Sequence, residues 1–224
     1  MRDHFVVTKS IKKFQDGIDH INHKLKGIER MLLAVGEPGL GKSEAAIRYC
    51  ALNGAVLIRT LEMMTGSWAL RTIISELGGS PYYRSDKNFE LLKQLLANKP
   101  RTIIFDEVDR FTRKPEILEL LRDIHDIFRC PMVFIGEEMA DKKLMNNRRL
   151  YRRFVEIVRF EKLDVDGVKQ FLSEMSEVKW ADDAVDHVTH ESGGKISELI
   201  TAIHHAENWA RRNGVKNISK RDLR

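Results

Sequence analysis

Gly36-Glu37-Pro38-Gly39-Leu40-Gly41-Lys42-Ser43 decides the reading of this chain. The apolar run Met31-Leu32-Leu33-Ala34-Val35 precedes it, and the helix-compatible run Glu44 to Leu52 follows. A buried strand that enters a glycine-rich turn and opens a helix is the Walker A arrangement. Its glycines let backbone N–H groups curl around a phosphate, and the helix N-terminus adds its positive end to the pocket. Lys42 is placed to reach the β- and γ-phosphates of ATP, and the Ser43 hydroxyl to hold Mg²⁺. Residues Gly36 through Glu44 are therefore the expected nucleotide-binding stretch.

Working outward, the second stretch that carries chemistry is Ile103-Ile104-Phe105-Asp106-Glu107. An apolar strand ending in Asp-Glu is the Walker B arrangement. Asp106 would bind Mg²⁺ directly or through water, and Glu107 would polarise the attacking water. A Glu directly after the Asp favours the ATPase branch of P-loop proteins, which places another strand between the Walker A and Walker B strands. Pro131-Met132-Val133-Phe134-Ile135, after a helix expected at Pro115 to Phe128, is the strand that fills that gap.

The rest of the chain supplies the frame. Phe5-Val6-Val7-Thr8 reads as a short β-like piece, followed by a helix from about Ser10 to Lys26 with Ile11, Phe14, Ile18, Ile21 and Leu25 at helical spacing. Phe5, Val6 and Val7 would wall an adenine pocket if that helix folds back on the sheet. Ala55 to Arg59 reads as the second strand, Ser67 to Leu77 and Asn88 to Ala97 as helices, and Val155 to Phe160 as the fifth strand. From Asp164 onward strand signals stop, and Val165 to Met175, Asp182 to Glu191 and Ile196 to Arg212 read as three helices, with a breaker at Ser192-Gly193-Gly194 and a further short helix starting at Ser219. The expected architecture is an α/β three-layer αβα core with a five-stranded parallel sheet over residues 1–162, then a small helical lid over residues 163–224.

The 224 residues are 42% hydrophobic and 32% charged, the composition of a soluble globular protein with one full core and a small appendage. Lys and Arg number 38 against 33 Asp and Glu, a net charge of +5 that permits a polyanionic partner without requiring one. Cys50 and Cys130 lie far apart and in no CxxC pair, so reduced thiols are expected. Neither an export signal nor a membrane-spanning run is found, and a cytoplasmic protein is expected. The paired histidines His20 and His23, His187 and His190, and His204 and His205 bring no zinc-ligand pattern, so Mg²⁺ is the metal expected.

Arginines carry the remaining expectations. Arg148, Arg149, Arg152 and Arg153 fall within six residues just before the fifth strand. That is where oligomeric ATPases display an arginine finger toward the neighbouring subunit's nucleotide, with Arg153 the first choice and Arg152 the second. Arg59, Arg110, Arg113 and Lys114 follow the second and third strands. On loops facing the channel of a ring or helix of subunits, they would contact DNA phosphates without regard to sequence.

These residues resemble the AAA+ ATPases over nearly the whole chain. Within that family they look most like the transposition ATPases, the group of the B protein of phage Mu and TnsC. The resembling stretches are Gly36 to Ser43, Phe105-Asp106-Glu107-Val108-Asp109-Arg110, Phe134-Ile135-Gly136 and Tyr151-Arg152-Arg153-Phe154. The resemblance implies a protein that binds ATP and Mg²⁺, assembles on double-stranded DNA as a hexameric ring or helical filament, and hands target DNA to a transposase whose contact stimulates hydrolysis. The alternative is an initiator-like or signalling switch or loader that acts on protein partners. Two positions depart from the family pattern. The fourth strand runs into Gly136-Glu137-Glu138 where a polar sensor is usual, and the lid's sensor arginine is replaced by Ser197, with Lys195 nearby. With only about 30 residues before the Walker A strand, DNA contact is expected from the AAA+ domain itself.

Overall fold

A computed structural model of the chain describes residues 1–2, 4–23, 29–97 and 100–223. It divides into two compact units, one of Lys13–Gly36 and Lys42–Arg159, the other of Met1–Lys12, Glu37–Gly41 and Phe160–Arg224. The helical unit thus takes in two stretches from early in the chain, which a boundary drawn at a single point of the sequence does not express.

The first unit is built on a parallel sheet. Its strands are β1 (Met31–Val35), β2 (Val56–Arg59), β3 (Ile103–Asp106), β4 (Met132–Gly136) and β5 (Phe154–Arg159), in the order β2-β3-β4-β1-β5. Every residue of β1, β3 and β4 is buried, which is why these strands are written as continuous apolar runs rather than alternating ones. β4 lies between β1 and β3, as the Asp-Glu ending of the third strand predicts.

Helices cover both faces of the sheet. In chain order they are α1 (Lys9–His23, which enters this unit at Lys13), α2 (Lys42–Asn53), α3 (Gly66–Glu76), α4 (Ser85–Ala97), α5 (Pro115–Phe128), α6 (Glu138–Leu144) and α7 (Arg148–Tyr151). One face of the sheet, carrying Met31, Leu33, Ile103, Phe105, Met132 and Phe134, packs with Leu70, Ile73 and Ile74 of α3, Leu92 of α4, and Ile117, Leu121 and Ile124 of α5. Successive strand residues point to opposite faces, so Leu32 turns the other way. There it meets α1 at Gly17, where a Cβ would come within 2.6 Å of the Leu32 side chain. Pro115 starts α5, where the missing N–H costs nothing, and Arg129 ends it in the left-handed region at φ 52°.

The second unit holds α8 (Val165–Met175), β6 (Lys179–Trp180), α9 (Asp182–Ser192), α10 (Ile196–Asn213) and β7 (Asn217–Ile218). Asp164 caps α8, its carboxylate accepting the Gly167 amide at 2.7 Å, and Gly193 ends α9 at φ 55°. Val168, Phe171, Leu172, Val185, Val188, Leu199 and Ile203 form its apolar centre together with Val6.

Three expectations are corrected. Phe5 to Thr8 pairs with no strand among the described residues; Val6 is buried in the helical cluster, and the Thr8 hydroxyl accepts the Ile11 amide at 3.3 Å, so the segment is an extended lead-in that caps α1. Strands do not stop at Asp164, because β6 and β7 pair in parallel around the fully buried Ile218. The short helix after Ser219 is a 3-10 turn, Lys220–Leu223. In α1 the stripe Ile11, Phe14, Ile18 and Ile21 is buried, while Leu25 and the expected helix end at Lys26 lie outside the described residues.

Candidate nucleotide site

Strand register brings the two Walker stretches to one end of the sheet. Val35 is level with Gly136, Phe105 with Phe134, and Arg59 with Asp106, so Gly36 and Asp106 leave the sheet at its carboxyl edge. Open α/β sheets bind their ligands there. Gly39 and Gly41 both stand at φ 84°, a conformation costly for other residues, and α2 begins directly after them at Lys42. The Lys42 ammonium donates to the Gly36 carbonyl at 2.6 Å. Ser43 and Glu44 occupy the first turn of α2, which is anchored by buried Ala45, Ala46 and Tyr49. The Tyr49 hydroxyl donates to Asp19 at 2.8 Å and accepts from Asn22 at 3.0 Å; burial pushes its ionisation well above the ordinary phenol range.

Asp106 is 2% exposed. One carboxylate oxygen accepts the Glu107 amide at 3.0 Å, and the other, Oδ2, has no hydrogen-bond partner among the described residues. A buried carboxylate oxygen left without a donor is costly, and a cation relieves that cost. With the Ser43 hydroxyl in the same unit, the donor set is hard oxygen, which suits Mg²⁺. Glu107 itself stands in the left-handed region, φ 60° and ψ 41°. Its carbonyl accepts the Thr60 hydroxyl at 2.6 Å, and its carboxylate meets the Arg110 guanidinium at 2.5 Å.

Sequence reasoning missed Asp109. Its Oδ2 accepts the Glu137 amide at 2.7 Å, tying the 3-10 turn Val108–Phe111 to the end of β4. Gly136 makes room for it, since a Cβ there would lie 2.8 Å from Asp109 Oδ2 and 2.6 Å from Ala140 Cβ. The signal was present as an Asp three residues after Asp106 and a glycine ending β4, but only the sheet order makes them neighbours.

The apex of the Walker A loop, Glu37 to Gly41, belongs to the helical unit. Lys162 and Lys195 reach the Glu37 carboxylate at 2.7 and 3.1 Å, and Lys162 first, then Lys195, holds that carboxyl below its usual range. Ser197, at the sensor position, donates its amide to the Gly39 carbonyl at 3.1 Å. Pro38 is exposed and Leu40 buried. Of the segment expected at an adenine pocket, Val6 is buried in the helical cluster, Phe5 is half-buried and Val7 is exposed.

The arginines separate into committed and exposed ones. Arg153 makes a two-pronged contact with Asp126, 2.9 and 2.7 Å, and approaches Glu29 at 3.4 Å. That guanidinium lowers the Asp126 carboxyl to about 2. Beside it the buried His125 accepts the Arg30 amide at Nε2, 3.1 Å, which fixes the remaining proton on Nδ1 toward Asp126 at 3.2 Å. Glu29, His125 and Asp126 cluster closely enough for a cation, but Arg153 and Arg129 already supply the positive charge. Arg148, Arg149 and Arg152 are exposed. Of the residues expected at DNA, Arg59 and Arg113 are exposed, Arg110 is paired with Glu107, and Lys114 donates to the carbonyls of Glu62 and Met64.

Comparison with known proteins agrees with this geometry. A family model described as AAA domain matches residues 26–144. A potential ATP-binding protein of Staphylococcus aureus is 39% identical over 80 residues, 36% of this chain and 27% of that protein, so the chain spans at most a part of its relative's length. Among solved structures, the ORC1 protein of Aeropyrum pernix in complex with DNA superposes with a TM-score of 0.67 at 14% identity, covering 99% of this chain and 65% of that one. CDC6P of Pyrobaculum aerophilum gives 0.68 at 18% identity, covering 97% and 67%. The RuvB Holliday junction branch migration motor of Thermotoga maritima gives 0.66 at 18% identity, covering 96% and 67%. No described helix is long and apolar enough to cross a membrane. With the family model covering more than half of its residues and the strand order and Walker A loop in accord, the chain belongs to the AAA domain family.

Proposed function

We propose that this chain is the ATP-hydrolysing part of a protein that assembles on double-stranded DNA without regard to sequence. The observation that carries the reading is the orphaned Asp106 Oδ2 at the end of β3, in the same unit as Lys42 and Ser43 at the start of α2. Lys42 would exchange the Gly36 carbonyl for the β- and γ-phosphates, and Ser43 and Asp106 would hold Mg²⁺. The ion supplies charge neutralisation at the phosphates. Glu107 orients the attacking water. Arg152 takes precedence over Arg153 as the arginine offered to a neighbouring subunit, because Arg153 is committed to Asp126 within its own chain. Phe5 and Val7 remain the candidates for the adenine wall.

Arg59 and Arg113 are the candidate phosphate contacts, and the initiator bound to DNA among the structural neighbours supports a DNA partner. Binding of this kind has a dissociation constant on the order of 10⁻⁴ to 10⁻⁶ M per site before assembly adds to it. The motif resemblance supports the finer reading, in which a ring or filament on DNA regulates a transposase. The initiator-like neighbours favour a second one, a loader that acts on a protein partner. DNA binding measured with ATP, ADP and a slowly hydrolysed analogue across a salt series tests the first. Binding that depends on ATP and not on sequence supports it, and weak binding indifferent to nucleotide favours the loader.

A further inference from the structure

Glu107 is held in the left-handed region by its surroundings, as a non-glycine residue must be. Its amide donates to Asp106 at 3.0 Å, its carbonyl accepts Thr60 at 2.6 Å, and the turn that follows is tied to β4 through Asp109 and the Glu137 amide at 2.7 Å. This fixed turn delivers Arg110 to the Glu107 carboxylate at 2.5 Å, a charge contact without the alignment of a hydrogen bond. The two side chains are 41% and 38% exposed, so the pair is open to solvent and to a competing anion. Lys114, on the same loop, is committed to main-chain carbonyls, whereas Arg113 and Arg59 are exposed, and Arg59 is level with Asp106 on the neighbouring strand.

We infer that Arg110 is a positioning residue that latches the hydrolytic carboxylate and is released by the phosphodiester backbone of DNA. Without DNA, Arg110 occupies Glu107. A backbone phosphate, drawn in by Arg59 and Arg113, takes the guanidinium and leaves Glu107 to orient water. Phosphate matches the planar guanidinium with paired charge-assisted hydrogen bonds, and an exposed carboxylate pair is weak, so the exchange runs in that direction. The inference rests on the roles of Glu107 and DNA proposed above.

Hydrolysis of Mg-ATP by the full chain, with and without duplex DNA, is measured for wild type, Arg110→Gln and Arg110→Lys, with DNA affinity followed in parallel. The DNA-free kcat of Arg110→Gln rises about two- to fivefold, the factor that an exposed ion pair can withhold, and DNA no longer accelerates it. Arg110→Lys keeps the charge and stays near the wild-type DNA-free rate. An Arg110→Gln protein with a native melting curve and an unchanged or lower DNA-free kcat overturns the latch, since a plain DNA contact alters affinity alone. The unmodified protein gives a second reading: DNA raises kcat at constant KM for ATP, and an effect on KM alone overturns the inference. Absence of DNA binding by wild type sinks the DNA reading and the proposed release, whereas the DNA-free rate of Arg110→Gln reads the contact with Glu107 by itself.

Discussion

Lys42 rests its ammonium on the carbonyl of its own loop, 2.6 Å away, so the group that meets a phosphate is aimed before any ligand arrives. Lys42→Ala should abolish nucleotide binding in a titration with a fluorescent ATP analogue, and wild-type affinity would contradict its role. Glu107→Gln should bind ATP normally while kcat falls by about 10² to 10⁴, the range of a lost general base; equal turnover would refute the assignment. Arg153 makes a different kind of prediction. It holds Asp126 at about 2 against an ordinary 3.8. A carboxyl lowered in the folded state contributes stability above its unfolded value and loses it as pH falls through the folded one, so the contribution is present above about pH 4 and gone below about pH 2. Arg153→Ala should therefore lower the urea midpoint at pH 6 by a difference on the order of 1–2 kcal/mol that shrinks between about pH 4 and pH 2. A difference independent of pH would mean that the pair is not the cause.

Among the elements, the end of β4 is the sharpest test of how the site is held. Gly136→Ala sets a methyl against Asp109 and Ala140, and overpacking of this kind costs about 1–3 kcal/mol. Because Asp109 ties the turn after Asp106 to β4, the variant should also slow hydrolysis; a melting temperature and kcat both equal to wild type would show that this packing is inconsequential. The longer elements were legible in the sequence for a plain reason. β1, β3 and β4 are buried on both faces and so written in unbroken apolar residues, and α5 carries its proline start and its apolar stripe within 14 residues. β6 and β7 have two residues each, too few for a period to register, and α7 has four, capped by Asn147 accepting the Leu150 amide at 3.1 Å. Phe5 to Thr8 looked like a strand because one apolar residue, Val6, is buried, although it packs with helices instead of pairing. The site divides in the same way. Walker A and Walker B are contiguous motifs, whereas the partner that engages Arg153 is 27 residues away and appears only once α5 and β5 are side by side.

For the molecule as a whole, charge and assembly are the readable quantities. A net charge of +5 is modest, so DNA affinity must come from placed residues rather than from a general field. Arg59→Ala and Arg113→Ala should each weaken binding about equally for all sequences and reduce the slope of log affinity against log salt by about one. An unchanged slope in both would move the interface elsewhere. The decisive observation is the mass of the complexes formed by the purified chain with a slowly hydrolysed ATP analogue and duplex DNA of several lengths. Assemblies that appear only with the triphosphate and grow with the length of the duplex are the expected result. A chain that stays monomeric with saturating nucleotide and DNA would contradict it.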